Sequence, residues 1–303
     1  MTPSNENELT QAALQRLEGA TNPRFAQIMQ SLITHLHAFA REVDLTPDEW
    51  MRGIDFLTAT GRACTGQRQE FILLSDTLGL SMMVVMLEQA RAARAAASAG
   101  RDAGALGATP ATDATVQGPY YWSGAPDVAC GTDIADGVPG EPAFYSGRVT
   151  DTRGQPIAGA LLDVWSGDGE GVYDMQVEGA GMAARARLRT DAEGRYWFWS
   201  IRPAHYPVPV DGPVGAMLGG MGRHPNRPGH IHMTVSAPGH VPVTTHLFVA
   251  GSPYIDSDAV FGVRPSLVVD FEPHPPGPAP DGRVQDRPFW SAHYDFRLQP
   301  TAV

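Results

Sequence analysis

Residues 230–249 read HIHMTVSAPGHVPVTTHLFV. Two short runs rich in Val, Thr and Phe, 230–236 and 243–249, lie on either side of a segment that contains two prolines and a glycine. Such runs, separated by turn-forming residues, are typical of neighbouring β-strands. His230 and His232 are alternate residues of the first run, so on a strand both imidazoles would lie on the same face of the sheet.

Similar runs of β-branched and aromatic residues recur from residue 116 onward, with Gly- and Pro-rich turns between them. This pattern predicts an antiparallel β-sandwich. The other predicted strands are 145–149, 160–165, 184–190, 195–201, 266–271 and 289–298. Residues 202–229 show neither strand nor helix periodicity and are predicted to form a long loop, a kind of segment that is usually functional.

The first 100 residues have a different pattern, because their apolar residues recur at helical spacing. Asn22-Pro23 and Thr46-Pro47 have the form of helix starts, with a capping residue followed by proline at the first helical position. A short helix is predicted at 67–74 and a longer one from Asp76 onward. This part of the chain is therefore expected to be a helical bundle.

The small and polar residues 99–115 are predicted to be a linker or a surface loop. The expected fold class is therefore α+β, with an N-terminal helical domain followed by an antiparallel β-sandwich domain. We place the helical domain with its linker at residues 1–110 and the sandwich at residues 111–303.

Composition excludes several classes of function. The 303 residues carry a formal net charge of −11, which argues against a nucleic-acid binder and against docking on anionic lipid. The longest apolar stretch, 78–87, is too short to span a bilayer, and the N-terminal residues have no apolar signal-peptide core. With only two cysteines, the chain has no disulfide scaffold, so a cytoplasmic location is expected.

The pair His230 and His232 is a candidate metal site, since two imidazoles on one face suit iron, zinc or copper. No cysteine lies nearby, which argues against a thiolate zinc site, while a carboxylate from elsewhere in the chain remains open as a further ligand. Tyr173, after a Gly/Asp turn, and Tyr206, in the predicted long loop, are candidate oxygen ligands. A tyrosinate is a hard anionic ligand that suits Fe(III) better than zinc.

Several longer segments resemble the intradiol ring-cleavage dioxygenases, the family of catechol 1,2-dioxygenase. They follow one another in order through the β-rich part, and EFILLSDTLGLSMMV (70–84) is similar to the helical dimerisation domain of the same family. The β-rich segments are GPYYWSGAP (118–126), SGRVTDTRGQPIAGALLDVWSGDGEGVYDMQ (146–176), RTDAEGRYWFWSIRPAHYPVPVDGPVG (189–215) and HPNRPGHIHMTVSAPGH (224–240).

The resemblance implies an iron enzyme, with one Fe(III) per subunit. Its ligands would be Tyr173, Tyr206, His230 and His232, with Tyr206 also accepting a substrate proton. Arg227 corresponds to the arginine that stabilises negative charge on the substrate. The implied reaction inserts both atoms of O2 into an aromatic diol or triol.

Within the family the chain is similar to hydroxyquinol 1,2-dioxygenases, because His246 follows Thr245 where catechol enzymes commonly have Gln. The implied substrate is hydroxyquinol (1,2,4-trihydroxybenzene), and the product 3-hydroxy-cis,cis-muconate (maleylacetate). Gln117 stands where an apolar or aromatic residue is common. The implied substrate pocket comprises Leu73, Asp76, Val116, Gly118, Pro119, Tyr120, Val208, Pro209, His246 and Val260.

Alternative functions remain open at this point. A catechol or substituted-catechol 1,2-dioxygenase would use the same ligands. The stretch GRVTDTRGQPIAGA (147–160) also resembles transthyretin-like sandwich domains, which would make the protein a non-catalytic binding module, and a colourless zinc hydrolase is a third option. The resemblance further implies a homodimer formed through the N-terminal helices, and it allows a phospholipid at the dimer interface.

Overall fold

A computed structural model describes residues 3–66, 68–98, 109–179 and 181–301. The chain divides into two compact units, Met1–Ala59 and Thr60–Val303. The proposed domain division at 110/111 instead follows the change from helices to strands, and residues 99–108 of the predicted linker lie outside the described residues. The helices are α1 (Glu6–Gln15), α2 (Pro23–Glu42), α3 (Pro47–Ala63), α4 (Glu70–Thr77), α5 (Leu80–Ser98) and α6 (Pro213–Gly220).

The helix starts follow the predicted capping pattern. The Asn22 side chain accepts a hydrogen bond from the Phe25 N–H, and Pro23 is the first residue of α2. Thr46 caps α3 together with Glu49, whose carboxylate accepts hydrogen bonds from the Thr46 N–H and hydroxyl. The predicted short helix is Glu70–Thr77 rather than 67–74. The longer helix begins at Leu80 rather than at Asp76, because Gly79, with φ of 78°, separates α5 from α4.

Fifteen strands are present among the described residues: β1 (Asp127–Val128), β2 (Pro142–Asp151), β3 (Leu161–Trp165), β4 (Arg185–Arg189), β5 (Arg195–Ile201), β6 (Tyr206–Pro207), β7 (Asn226–Arg227), β8 (His230–Ser236), β9 (Val243–Val249), β10 (Val268–Val269), β11 (Glu272–His274), β12 (Gly277–Pro278), β13 (Val284–Gln285), β14 (Phe289–His293) and β15 (Phe296–Leu298). Three predictions of strand and loop bounds in this part of the chain were wrong in detail. The segment 202–229 contains α6, β6 and β7; only 268–269 of the run 266–271 is a strand; and the run 289–298 is two strands.

Two sheets form the sandwich. One has the strand order β1-β4-β3-β8-β9-β10, and the other has the order β11-β14-β2-β15 with β5 also paired to β2. Both sheets contribute to one buried core, for example Leu162 and Ile231 from the first and Tyr145 and Phe198 from the second. The predicted succession of helices and sandwich is confirmed, but the sheets are mixed rather than purely antiparallel, because β1–β4, β9–β10, β2–β14 and β2–β15 are parallel pairs.

Cys64 and Cys130 are half-buried free thiols. Among the described residues no single helix is long and apolar enough to cross a membrane; α4 and the first part of α5 meet those criteria only jointly, and they are bent by 72° relative to each other.

Candidate metal centre

Two neighbouring strands place three histidines on one face of the six-stranded sheet. His230 and His232 alternate on β8, as predicted, and His246 on β9 lies opposite His232 in the antiparallel register. All three side chains are buried. On the other side of β8, Trp165 of β3 lies opposite His232. Its indole ring stacks on the His232 imidazole with ring centroids 4.8 Å apart. The sheet and this stacking therefore hold the imidazoles in fixed orientations.

The two candidate tyrosines come from separate segments, Tyr173 from a loop and Tyr206 from β6, and they meet at these histidines. The Tyr173 hydroxyl lies 2.9 Å from Nε2 of His232 and 3.3 Å from the Tyr206 hydroxyl. The Tyr206 hydroxyl lies 3.4 Å from Nε2 of His230. Gly171, with φ of 85°, allows the turn before Tyr173 to pass against Tyr206, because a Cβ at that position would overlap the Tyr206 side chain. The structure thus brings together two phenol oxygens and two imidazole nitrogens.

A buried ion pair anchors the loop that carries Tyr173. Asp174 and Arg185 form a salt bridge, and the side chains of both are 1% exposed. Asp174 also accepts a hydrogen bond from the Ala183 N–H. The Tyr173 N–H donates to the Gln176 side chain at 2.8 Å. Because an unpaired buried charge is costly, the pair fastens this loop to the beginning of β4.

The hydrogen bonds of His230 determine which nitrogen is free to bind a metal. Its Nδ1–H donates to the Pro228 carbonyl at 2.7 Å, which leaves Nε2 as an acceptor. Burial, together with the nearby Arg227 guanidinium, lowers the pKa of His230 to about 3. Burial also lowers the pKa of His232 and of His246, so all three imidazoles are neutral, the form in which histidine binds metals.

The donor set fits a cation of high charge. Burial raises the pKa of both Tyr173 and Tyr206 above the ordinary value of a phenol, and a bound metal ion is what would permit both to be phenolates. Among the described residues, the one group of three or more His, Cys, Asp or Glu side chains suited to a metal is His230, His232 and His246, so no carboxylate completes a facial triad here. Two phenolates with imidazoles form a donor set that fits iron.

Arg227 lies beside this group. It occupies β7, directly opposite Tyr206 on β6, and is 2% exposed. Its Nη1 donates to Nε2 of His230 at 3.0 Å, and its Nη2 lies 3.5 Å from Nδ1 of His246. The predicted active-site arginine therefore directs positive charge at the cluster of donor atoms.

The predicted pocket residues are placed as follows. Tyr120 stacks on Tyr173 with ring centroids 4.5 Å apart, and a Cβ on Gly118 would lie 3.4 Å from Cε1 of His232. Asp76, on α4, is buried, and the pKa of its carboxyl is raised by burial, with Arg227 opposing that shift. Leu73, Val116, Val208 and Val260 are also buried, Pro119 and Pro209 are half-buried, and Gln117 is exposed.

Sequence reasoning missed four side chains around the site: Trp165, Asp174, Arg185 and Asp258. The alternation of residues in the predicted strand 160–165 could have assigned a face to Trp165. The ion pairs Asp174–Arg185 and Arg227–Asp258 join residues 11 and 31 positions apart, and no local pattern signals such a pairing.

Comparison with known proteins identifies the family. The sequence model described as "Dioxygenase" matches residues 116–300, and the one described as "Catechol dioxygenase N terminus" matches residues 22–96. The chain is 44% identical over 302 residues to the 6-chlorohydroxyquinol 1,2-dioxygenase of Cupriavidus pinatubonensis, covering 99% of this chain and 100% of that protein. It is also 44% identical over 298 residues to the hydroxyquinol 1,2-dioxygenase of Nocardioides simplex, covering 98% and 96% respectively.

Solved structures give the same result. The hydroxyquinol 1,2-dioxygenase from Pseudomonas putida DLL-E4 superposes with a TM-score of 0.84 at 43% identity, covering 98% of this chain and 99% of that one. Catechol 1,2-dioxygenase of Acinetobacter radioresistens superposes with a TM-score of 0.81 at 30% identity, covering 98% and 94%. The chain is an enzyme, a dioxygenase. It belongs to the intradiol ring-cleavage dioxygenases, a family that depends on iron, so the resemblance inferred from the sequence is confirmed.

Proposed function

We propose that this protein is a hydroxyquinol 1,2-dioxygenase, which uses one Fe(III) per subunit and O2 to open the ring of 1,2,4-trihydroxybenzene. The product is 3-hydroxy-cis,cis-muconate, or its tautomer maleylacetate. The observation that carries the proposal is the close approach of two phenol oxygens and two imidazole nitrogens. The two hydroxyls lie 3.3 Å apart, and each lies within 3.4 Å of one histidine Nε2. The 44% identity with hydroxyquinol enzymes along the chain supports the choice of substrate.

Tyr173, Tyr206, His230 and His232 would hold the ferric ion. Two phenolates and two neutral imidazoles reduce a charge of three to a net charge of one, which limits the cost of burying it. When bound, the ferric ion would supply Lewis acidity toward the ring oxygens and would favour transfer of ring electron density toward O2. The remaining steps belong to side chains of this chain.

Tyr206 is suited to take a proton from the substrate. Its hydroxyl makes the two longest contacts in the donor group, 3.3 Å to Tyr173 and 3.4 Å to His230. Burial raises the pKa of its phenol, so a Tyr206 phenolate would be a strong base toward a substrate hydroxyl. Tyr173, held 2.9 Å from His232 and by the anchored loop, is the tyrosine that stays in place.

Arg227 supplies fixed positive charge for the substrate oxygens. Its Nη1 donates to Nε2 of His230. Because Nε2 is the atom that would bind the metal, iron binding by His230 would free Nη1 of Arg227 for a new acceptor. A donor held in a buried site stabilises developing negative charge without having to reorganise. The acceptor we propose is an oxygen of the deprotonated ring.

Asp76 is the proposed determinant of preference for a triol. It is 2% exposed, and its carboxyl is close enough to Arg227 and Asp258 for both to affect its pKa. A buried carboxyl in this position would accept a hydrogen bond from the third ring hydroxyl. Loss of the Asp76 carboxyl would leave the third hydroxyl of hydroxyquinol without a hydrogen-bond partner. Catechol lacks that hydroxyl, so its binding would lose nothing.

Replacing Asp76 by Ala is therefore expected to lower kcat/KM for hydroxyquinol by about 100-fold relative to catechol, since an unpaired buried hydroxyl is strongly rejected. Initial rates of both substrates, measured on the same preparation, give this ratio. Asp76→Asn, which keeps the size and one acceptor oxygen, serves as the matched control and is expected to lose less. A ratio unchanged from wild type in Asp76→Ala would contradict this role.

The N-terminal helices are proposed to form a homodimer interface. Phe25, Ile28, Leu32, Leu36 and Phe39 follow one face of α2, and each is 47–58% exposed in the single chain. An apolar stripe of this length is uncommon on a monomer and is typical of an association surface. The phospholipid at this interface and the cytoplasmic location stay predictions.

Sedimentation velocity at micromolar concentration is expected to give a dimer for the wild type. The double variant Leu32→Glu/Leu36→Glu should sediment as a monomer, because it would bury two charges in the apolar stripe. The matched control is Gln27→Glu/Gln30→Glu, which adds the same charges to polar positions of α2 and should stay dimeric. A monomeric wild type would refute the dimer.

A further inference from the structure

Asp258 makes a bidentate ion pair with Arg227. Its Oδ1 accepts from Nε of Arg227 at 3.0 Å, and its Oδ2 accepts from Nη2 at 3.2 Å. Both side chains are buried, with 3% of the Arg227 side chain and 2% of the Asp258 side chain exposed. Burial by itself would raise the pKa of Asp258, but the charge and hydrogen bonds of Arg227 hold it below the ordinary value, so the pair is charged.

The backbone around Asp258 holds the carboxylate in place. The N–H of Val260 donates to Oδ1 at 3.3 Å, and the N–H of Gly262 donates to Oδ2 at 2.9 Å. Phe261, between them, has a φ of 58°, a conformation that non-glycine residues seldom adopt. Each carboxylate oxygen of Asp258 therefore accepts one hydrogen bond from Arg227 and one from a backbone N–H of the following turn.

The packing leaves little freedom to this arrangement. A Cβ on Gly262 would lie 3.0 Å from Nη2 of Arg227 and 3.1 Å from Oδ2 of Asp258. Since Nε and Nη2 are both engaged by Asp258, the plane of the guanidinium is determined and Nη1 is left over. That atom is the one that donates to Nε2 of His230 at the metal centre.

We infer that Asp258 is the positioning residue of this enzyme, which orients Arg227 so that Nη1 points at the substrate oxygens. The inference rests on the proposed function, in which Arg227 stabilises the deprotonated ring. Asp258 acts only through Arg227 and does not touch the metal ligands.

The test compares Asp258→Asn with wild type in the iron-loaded form. We expect unchanged iron content, a kcat lowered by about 100-fold, as for a small misplacement of a catalytic group, and a raised Kd for hydroxyquinol in an anaerobic spectral titration. Asp258→Glu, which restores the charge, should recover part of both losses. Asp113→Asn, which breaks a half-buried Asp–Arg pair with Arg264, is the matched control and should behave as wild type.

A double-mutant cycle separates positioning from a structural role. Because Asp258 acts through Arg227, Asp258→Asn added to Arg227→Gln should lower kcat no further than about 2-fold. Losses that multiply in the double variant would overturn the inference, as would a folded Asp258→Asn with wild-type kcat and Kd, or a folded Asp258→Glu that recovers neither loss. A wild type that cleaves neither hydroxyquinol nor catechol would instead refute the proposed function.

Discussion

Replacing Tyr206 by Phe is expected to lower kcat per bound iron by roughly 1,000-fold, the range for loss of a general base. The variant removes one anionic oxygen from the donor group and the phenolate that takes a substrate proton. The Phe ring fits the same buried space beside Tyr173 and His230, so the fold should be retained. The visible charge-transfer band and the affinity for iron should both decrease.

The matched control for this variant is Tyr121→Phe. The Tyr121 hydroxyl donates to Asp163 at 3.0 Å and packs against Trp165, without contact to the four donor atoms. Its loss should leave the iron content, the spectrum and kcat within about 2-fold of wild type, as for most substitutions away from a site. If Tyr206→Phe kept the iron, the colour and the activity of wild type, the assignment of Tyr206 as a ligand and base would be wrong.

Arg227→Gln is expected to lower kcat by about 100- to 1,000-fold, the usual effect of removing a preorganised donor to developing negative charge. Iron content and the resting spectrum should persist, because Arg227 is not among the four ligands. Arg227→Lys should rescue little, because a lysine ammonium does not reproduce the bidentate pairing with Asp258. Stopped-flow turnover and metal analysis of the same samples measure the two properties separately.

Arg187→Gln provides the control for loss of an arginine. Arg187 lies on β4 and pairs with the exposed Asp127 at 2.7 Å, so its loss should have little effect on turnover. Wild-type kcat in Arg227→Gln would show that the charge beside His230 has no part in the reaction. Loss of iron from that variant would instead assign Arg227 to holding the metal site together.

The sequence predicts elements well where the signal is local. The runs 230–236 and 243–249 coincide with β8 and β9, because strand periodicity, β-branched residues and turn residues agree there. It fails for α6, whose sequence PVGAMLGG is rich in glycine and lacks an amphipathic period. The parallel pairing of β2 with β14 joins residues almost 150 positions apart, and no local pattern specifies that orientation.

The candidate site shows the same division. Strand alternation alone places His230 and His232 on one face, but it leaves the metal and the other ligands open. Tyr173, Tyr206 and Arg227 were assigned through resemblance to a family, and the geometry now brings them together. Asp258, which lies in a loop 31 residues beyond Arg227, required the tertiary structure because only the folded chain brings its carboxylate to the guanidinium.

The visible spectrum of the purified, iron-containing protein is the most direct test of a ferric site with two tyrosinate ligands. It is recorded before and after anaerobic addition of hydroxyquinol and, separately, of catechol. We expect a wine-red protein with a broad tyrosinate-to-iron band. The band should shift on addition of either compound, and at a lower concentration of hydroxyquinol than of catechol. A protein that stays colourless after reconstitution with iron would contradict the ferric site formed by Tyr173, Tyr206, His230 and His232.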